Sequence, residues 1–303
     1  MDYVACLELA GEWLVAGEKS GPNIAVWSSA TAELAWSKAL APRAESNQYT
    51  QNVIVSIHES LIGAAVRDRL FVLDRASGKV FVEHHLGPGK TPFAQMIQSS
   101  SSLLRFTPDG ERVLVGLLPS VVVLDWKTGK ELAVIEDCSG VCDAFTSPDG
   151  KLLALPGYVL QLCDARTLAV TRKFELGGYT SAAAFSPDGK TIALAIDGIV
   201  SFLDVTTGDK RASLPAASSV HRIAVHEIAW HGQRIATASE DGYVRIWDAA
   251  TRELVEELAG HDTTIPGTGA RNLHGLAFSQ DGALLYVGGA PVGTRAVTAY
   301  TVG

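Results

Sequence analysis

The sequence has few of the features that mark secreted, membrane or nucleic-acid-binding proteins. It contains only four cysteines in 303 residues (Cys6, Cys138, Cys142 and Cys163), and their spacing fits neither a disulfide framework nor a zinc site. No apolar run approaches the roughly 18 residues of a membrane span, and no lysine and arginine cluster exceeds two neighbours. With a net charge of −8, the chain is expected to be cytoplasmic, with reduced cysteines, and to bind neither nucleic acid nor membrane.

The sequence also lacks the pattern of a signal peptide and the complete pattern of a nucleotide-binding loop. The N-terminal residues MDYVACLELAGEWLVAG lack the charged and apolar regions of a signal peptide. The stretch HHLGPGKT at 84–91 ends like a phosphate-binding loop, but the position that requires the first glycine holds His84. No stable helix is expected after Thr91, so we interpret this stretch as a surface loop.

What the chain does contain points to short strands and tight turns. Hydrophobic residues make up 47% and charged residues 19%, enough apolar surface for a large core. There are 29 glycines and 12 prolines, with few long helix-forming runs. The composition therefore favours an all-β fold.

An internal repeat sets the predicted architecture. Six segments combine an apolar strand with a polar residue, two further residues and then Ser or Thr: NIAVWSSAT, RLFVLDRAS, SVVVLDWKT, VLQLCDART, IVSFLDVTT and YVRIWDAAT. The segment RAVTAYTV supplies a seventh strand, and the spacing brackets the period of about 40–45 residues of four-stranded propeller blades. The aspartate in five of the six is expected to accept hydrogen bonds across the turn that follows the strand.

A second repeat lies upstream and completes each unit. The segments RFTPDG, TSPDG, FSPDG and FSQDG each separate two apolar strands, as Asp-Gly turns should. Each unit thus contains strands a, b, c and d, and seven units fit the chain as a single domain over 1–303. The prediction is a seven-bladed β-propeller with four-stranded antiparallel blades, whose last blade has three strands because the chain ends after strand c.

The sequence resembles the WD-repeat family of β-propellers along its whole length. One blade, ATASEDGYVRIWDAATRELVEELAGH, matches the family pattern almost fully, and the others match it loosely. The resemblance implies that His221, Ser239, Asp241 and Trp247 form a buried hydrogen-bonded relay. It also implies that the turns from strand b to c and the connections from strand d to the next blade share one face, here called the top face.

Loop lengths suggest where on the top face a partner binds. The connections 41–52, 87–101 and 260–272 and the turns 17–23 and 288–295 are long, and they form one arc from blade six through blades seven and one to three. We expect a protein or peptide partner there, with these candidate residues: Arg43, Gln48, Tyr49, Lys90, Phe93, Arg271 and Arg295. Tolerated surface insertions would explain the same loops.

The favoured function is a non-enzymatic scaffold that binds proteins or peptides through one face, without metal or cofactor. The alternative is a hydrolase or lyase at the mouth of the central channel. Strand alternation points five polar residues toward that channel: Glu8, Ser56, Arg105, Asp143 and Glu227. Because Arg105 lies among the acids, we expect them to play a structural role. A last expectation is that the Ala296–Thr301 edge of blade seven is open, or is filled by a strand from another chain.

Overall fold

The computed structural model describes most of the chain. The residues described are 4–19, 21–31, 33–41, 52–66, 69–85, 103–117, 119–141, 143–215, 224–259, 273–292 and 295–303. Within these ranges 27 strands form seven antiparallel sheets, six with four strands and the last with three. This arrangement confirms the predicted all-β, seven-bladed propeller.

Each blade begins with its inner strand, a, and ends with its outer strand, d. The strands of blades one to three are β1 Val4–Ala10, β2 Trp13–Glu18, β3 Asn23–Ser28, β4 Leu34–Ala39, β5 Val53–His58, β6 Leu61–Val66, β7 Arg69–Asp74, β8 Val80–His85, β9 Leu104–Phe106, β10 Arg112–Leu117, β11 Ser120–Asp125 and β12 Glu131–Ile135.

The strands of blades four to six follow the same order: β13 Phe145–Thr146, β14 Leu152–Leu155, β15 Val159–Asp164, β16 Val170–Glu175, β17 Thr180–Phe185, β18 Thr191–Ile196, β19 Ile199–Asp204, β20 Lys210–Ser213, β21 Val225–His231, β22 Arg234–Ser239, β23 Tyr243–Asp248 and β24 Leu254–Ala259. Blade seven consists of β25 Leu273–Phe278, β26 Leu284–Val292 and β27 Arg295–Thr301.

The turn after strand c contains the bonds expected from the Asp-x-x-Ser/Thr repeat. In blade two the backbone N–H of Ser77 lies 2.8 Å from Asp74 Oδ1. In blade four the hydroxyl of Thr167 donates to Asp164 Oδ1 at 2.9 Å. The backbone N–H and the hydroxyl of Thr167 both donate to Asp164 and hold its carboxylate in the charged form, so the pKa of Asp164 lies below its usual value.

Apolar packing between neighbouring blades forms the core. Ile24 of blade one and Val53 and Ile62 of blade two are fully buried in one such cluster. Each fully buried side chain of this size stabilises the fold by about 1.5–3 kcal/mol. The outer strands contribute little, and β4 and β12 are mostly exposed.

Blade seven packs directly against blade one and closes the ring. Tyr286 is buried with Leu7 and Leu14, and its hydroxyl donates to the carbonyl oxygen of Ser29 at 3.0 Å. Gly275 has φ 129°, and a Cβ there would overlap Leu7. Only glycine suits this position, because it combines a positive φ with close contact between the two inner strands.

One expectation about blade seven needs correction. Residues 288–295 were expected to form a long turn, but β26 continues to Val292 and pairs there with Arg295. The pairing is irregular between Gly288 and Val292 and resumes at Val292, where backbone groups that a loop would leave to solvent are paired. Beyond β27, no further strand is paired among the described residues. Within the same part of the chain, no helix is long and apolar enough to cross a membrane.

Candidate functional site

An arginine bridges two acids on the wall of the central channel. Arg105 in β9 forms an ion pair with Glu8 in β1. On its other side, its Nη2 lies 2.5 Å from Asp143 Oδ2 and its Nε lies 2.9 Å from Asp143 Oδ1. This bidentate arrangement is a strong form of ion pair. The structure thus brings together three of the five residues expected at the channel.

Polar side chains of the inner strands connect blade one to two, two to three, three to four and five to six. Each donates to, or accepts from, the backbone of the following blade. The bonds are Val55 N to Cys6 Sγ at 3.1 Å, Ile57 N to Glu8 Oε2 at 2.9 Å, Phe106 N to Ser56 Oγ at 3.1 Å, Arg105 Nε to the oxygen of Ala144 at 3.1 Å, and Ser181 Oγ to the oxygen of Val225 at 2.5 Å. These contacts hold neighbouring blades together and give the polar groups a structural role.

Glu227 in β21 differs from the other channel acids. Its carboxyl group forms no hydrogen bond or ion pair with the described residues. Burial, together with the charge of Asp143, raises its pKa to about 8, and Arg105 opposes this change. A carboxyl group with such a pKa is suited to general acid–base catalysis.

The groups that could act as nucleophiles beside Glu227 are already engaged. Burial raises the pKa of the Cys6 thiol to about 12, so the reactive thiolate is scarce at neutral pH. The hydroxyl of Ser56 accepts the Phe106 N–H. No group of three or more His, Cys, Asp or Glu side chains within the described residues is placed to hold a metal. The channel also contains a cavity of about 490 Å³, but its polar wall stabilises the ring.

Blade six carries a buried polar network around Arg245. Its guanidinium group donates to Ser239 Oγ at 3.1 Å and to Glu257 Oε2 at 2.8 Å, and its Nη2 lies 2.7 Å from Asp241 Oδ2. The Ser239 hydroxyl also donates to Asp241. Burial opposes ionisation of Asp241, but the bonds from Arg245 and Ser239 outweigh it and lower the pKa.

The partner of Trp247 differs from the one expected from the sequence. Its indole Nε1 donates to Thr237 Oγ1 at 3.0 Å, not to Ser239. The strand register explains the difference: Trp247 lies opposite Ile235, so Thr237 is its diagonal neighbour and Ser239 lies two residues further along. His221 lies outside the described residues, so its part in the relay stays a prediction.

The residues expected to bind a partner lie almost entirely outside the described part of the chain. Six of the seven lie outside the described residues: Arg43, Gln48, Tyr49, Lys90, Phe93 and Arg271. The seventh, Arg295, is the first residue of β27. The proposed arc therefore stays a prediction.

The described part of the top face carries an exposed aromatic pair that sequence reasoning missed. Tyr158 and Tyr179 are 54% and 41% exposed, and their ring centroids lie 5.6 Å apart. Tyr158 comes from the b–c turn of blade four and Tyr179 from the connection into blade five. Ile199, 42% exposed, begins strand c of blade five on the same face. We call these three residues the tyrosine rim.

Backbone contacts fix the tyrosine rim in place. The N–H of Tyr158 donates to the oxygen of Ser139 at 3.3 Å. The N–H of Tyr179 donates to Asp197 Oδ1 at 3.3 Å, and the N–H of Asp197 donates to the oxygen of Tyr179 at 3.1 Å. A Cβ on Gly140 would lie 3.0 Å from Tyr158 Cδ2, so the turn packs closely under the ring. The turns here are short, so loop length did not point to them. The sequence signal that could have found them is the aromatic residue at the end of PGY and of GGY.

Comparison with known proteins points to one repeat family. A sequence profile described as "WD domain, G-beta repeat" matches residues 208–248, from the end of blade five to strand c of blade six. The telomerase protein component 1 of Rattus norvegicus is 26% identical over 207 residues, 66% of this chain. The small ribosomal subunit protein RACK1z of Oryza sativa subsp. japonica is 31% identical over 115 residues, 37% of this chain. Actin-interacting protein 1 of Drosophila melanogaster is 29% identical over 204 residues, 60% of this chain.

These matches cover only part of the relatives, whereas a structural match covers a whole domain. The aligned segments span 7% of the telomerase component, 32% of the ribosomal protein and 32% of the actin-interacting protein. The β-propeller domain of Cps50 (Swd1) from Myceliophteria thermophila superposes with a TM-score of 0.74 at 14% identity, covering 100% of this chain and 98% of that one. The chain is thus a seven-bladed β-propeller, and its residues 208–248 match the WD-repeat family.

Proposed function

We propose that the chain is a non-enzymatic scaffold that binds a protein or peptide partner through its top face, at the tyrosine rim. The observation that supports this proposal is the exposed ring pair of Tyr158 and Tyr179, with the exposed Ile199 on the same face. Large apolar groups on a rigid scaffold supply the central contacts of many protein interfaces, where tyrosine is enriched. The backbone bonds at Tyr158 and Tyr179 reduce the ordering cost of binding.

The relatives support the same class of function by analogy. Their names describe a telomerase component, a ribosomal subunit protein and an actin-interacting protein, and propeller folds serve many roles. The partner of this chain therefore has to be identified by experiment. The proposal includes the predicted arc around Tyr49, Phe93 and Arg271 as an extension of the surface, and a cytoplasmic location. Three described cysteines are free thiols, which fits a reducing compartment.

The experiment compares partner capture by three forms of the purified chain. These are the wild type, the double variant Tyr158→Ala/Tyr179→Ala, and Phe81→Ala. Phe81 is a suitable control because it is a similarly exposed aromatic residue, 49%, on the outer strand β8. Each form is immobilised, incubated with extract of the source cells, and the bound proteins are quantified by mass spectrometry.

A partner of the tyrosine rim should bind the wild type and Phe81→Ala equally and be lost from the double variant. Its affinity is then measured with the purified protein by titration calorimetry. Truncating two central aromatic residues should weaken binding by about 2 kcal/mol or more. Equal binding to all three forms would contradict the proposal.

A further inference from the structure

The turn between strands c and d contains the same contact in blades two, three and five. Four residues after the aspartate, this turn reaches positive φ at Gly78, Gly129 and Gly208. A ring from the preceding blade covers each glycine. A Cβ would lie 2.9 Å from Trp36 Cε3 at Gly78 and 2.8 Å from His84 Nδ1 at Gly129, and it would overlap the Phe174 ring at Gly208. These rings fill the space between neighbouring blades.

Among the described residues, two blades have a side chain where blades two, three and five have glycine. Leu168 in blade four has φ 61° and Arg252 in blade six has φ 65°, and such a conformation is unfavourable for residues with a Cβ. Leu168 is buried between blades three and four, and this packing offsets the strain. Arg252 is exposed, so packing does not explain its presence.

Beside Arg252 a cleft of about 420 Å³ opens between blades five and six. It lies on the bottom face, opposite the tyrosine rim, because its walls come from a–b and c–d turns. Ala212 occupies the position in strand d that Trp36 occupies in blade one. Ala212 pairs with Phe202, and Trp36 pairs with Val26, and in both blades the register shifts directly after this pair. The small side chain leaves the space open.

The cleft is lined by two aromatic rings and two arginines. The rings of Phe202 and Trp230 lie 5.5 Å apart in an edge-on arrangement and line the cleft with Ala212. Arg211 and Arg252 line it as well. Arg211 forms an ion pair with Asp204, whereas Arg252 has no ion pair among the described residues.

The acid on the cleft wall is already engaged. Asp188 Oδ1 accepts hydrogen bonds from Ser186 Oγ at 2.6 Å and from the Lys190 N–H at 3.0 Å. No hydrogen bond or ion pair joins Asp188 to the guanidinium group of Arg252 among the described residues, so the donors of Arg252 are open to a ligand. The net charge of −8 does not prevent this, because charges further apart than about 8 Å are largely screened at physiological ionic strength.

We propose that this cleft, lined by Phe202, Arg211, Ala212, Trp230 and Arg252, binds a short acidic peptide segment of a partner protein. An apolar side chain of the peptide would enter beside Ala212 and contact the two rings. A neighbouring carboxylate would accept hydrogen bonds from Arg252, whose planar group suits bidentate contact. This site is separate from the tyrosine rim and does not depend on it.

The test uses fluorescence anisotropy with two labelled five-residue peptides. Both have a central phenylalanine, flanked by two glutamates on each side in one and by two lysines in the other. The wild-type chain should bind the glutamate peptide at least about tenfold more tightly. Arg252→Gly should weaken that binding about tenfold, the usual scale for a hydrogen bond to a charged group. Ala212→Trp should weaken it at least as much, because the indole fills the cleft.

Folding and charge are controlled separately. Arg252→Gly places glycine at positive φ, as in three other blades, so its melting temperature should be unchanged or higher. Arg172→Ala removes an exposed cation from strand d of blade four, at the position that Ala212 occupies in blade five. This variant should bind like the wild type, as should Tyr158→Ala/Tyr179→Ala. The proposal is overturned if the wild type does not bind the glutamate peptide, if it binds both peptides equally, or if Arg252→Gly and Ala212→Trp bind as well as the wild type.

Discussion

The channel wall and the tyrosine rim differ in what their side chains contact. On the channel wall, Glu8, Ser56 and Arg105 form hydrogen bonds with the backbone of the next blade. On the rim, the rings of Tyr158 and Tyr179 lie against each other, and the two residues are 54% and 41% exposed. Polar residues at the centre of this disc thus maintain its shape, and exposed apolar residues at its rim are available to a partner.

The comparison predicts that mutations in the channel change stability, whereas mutations at the rim change binding. The largest effect is expected for Arg105→Met, which leaves the carboxylates of Glu8 and Asp143 close together without a cation. Breaking such a pair from one side costs about 3–5 kcal/mol. Urea unfolding of the wild type and variant measures this loss. Arg172→Met, on the exposed face of β16, should change stability by less than about 0.5 kcal/mol; similar values for both variants would contradict the structural role of Arg105.

The second prediction concerns Glu227 and has a definite dependence on pH. Its pKa rises from 4.5 to about 8 on folding, so both states hold the proton below about pH 4.5. Between pH 4.5 and 8 the unfolded chain loses the proton while the folded chain retains it, and stability falls as pH rises. Above pH 8 the loss is constant. Glu227→Gln cannot ionise and avoids this loss.

The stability advantage of Glu227→Gln should therefore grow from pH 4.5 to 8. It should reach about 2–4 kcal/mol, since one pKa unit corresponds to about 1.4 kcal/mol and solvent in the channel reduces the effect. Urea unfolding at pH 5, 6.5 and 8 measures it, with Glu175→Gln on the exposed β16 as the control. An advantage that stays constant with pH would show that Glu227 is ionised throughout.

The third prediction concerns the hydrogen bond between Trp247 and Thr237. Thr237→Val keeps the shape of the side chain but leaves the buried indole N–H without its acceptor, which should cost about 1–3 kcal/mol. Thr237→Ser keeps the hydroxyl and should cost less. If Ser239→Ala is more damaging to the indole environment, measured by tryptophan fluorescence, than Thr237→Val, the structural assignment is wrong.

Blade six shows how far the sequence could be interpreted. Trp247 and Asp241 were identified because the repeat fixes their places along strand c and the b–c turn. The exact hydrogen-bond partner was missed because Thr237 and Ser239 lie on the same strand face, and only the register distinguishes them. The network of Arg245 with Glu257 joins two strands, and the repeat pattern carries no sign of it.

Function was harder to predict because loop length and exposure measure different properties. The long loops drew attention to Tyr49, Phe93 and Arg271, whereas the exposed rings of Tyr158 and Tyr179 sit on short turns. Their proximity depends on how blade four meets blade five. The cleft at Arg252 also depends on contacts between blades. Such contacts are formed by residues distant in sequence, which a repeat alignment treats as equivalent.

The smallest effect on stability is expected for Tyr158→Ala/Tyr179→Ala. The loss of one exposed ring pair should cost about 1 kcal/mol or less. Thermal unfolding of the wild type and the double variant measures this cost. A loss above about 3 kcal/mol would show that the rim is a structural element like the channel wall.

Hydrogen–deuterium exchange of the chain with and without its captured partner tests the central claim most directly. Binding at the tyrosine rim should slow exchange in backbone segments 157–160 and 177–180 and in the turn at Asp197, while the outer strand β8, which carries the control residue Phe81, stays unchanged. Slowed exchange confined to β8 or to the channel strands, with the rim unaffected, would contradict the proposal that the chain binds its partner through this part of the top face.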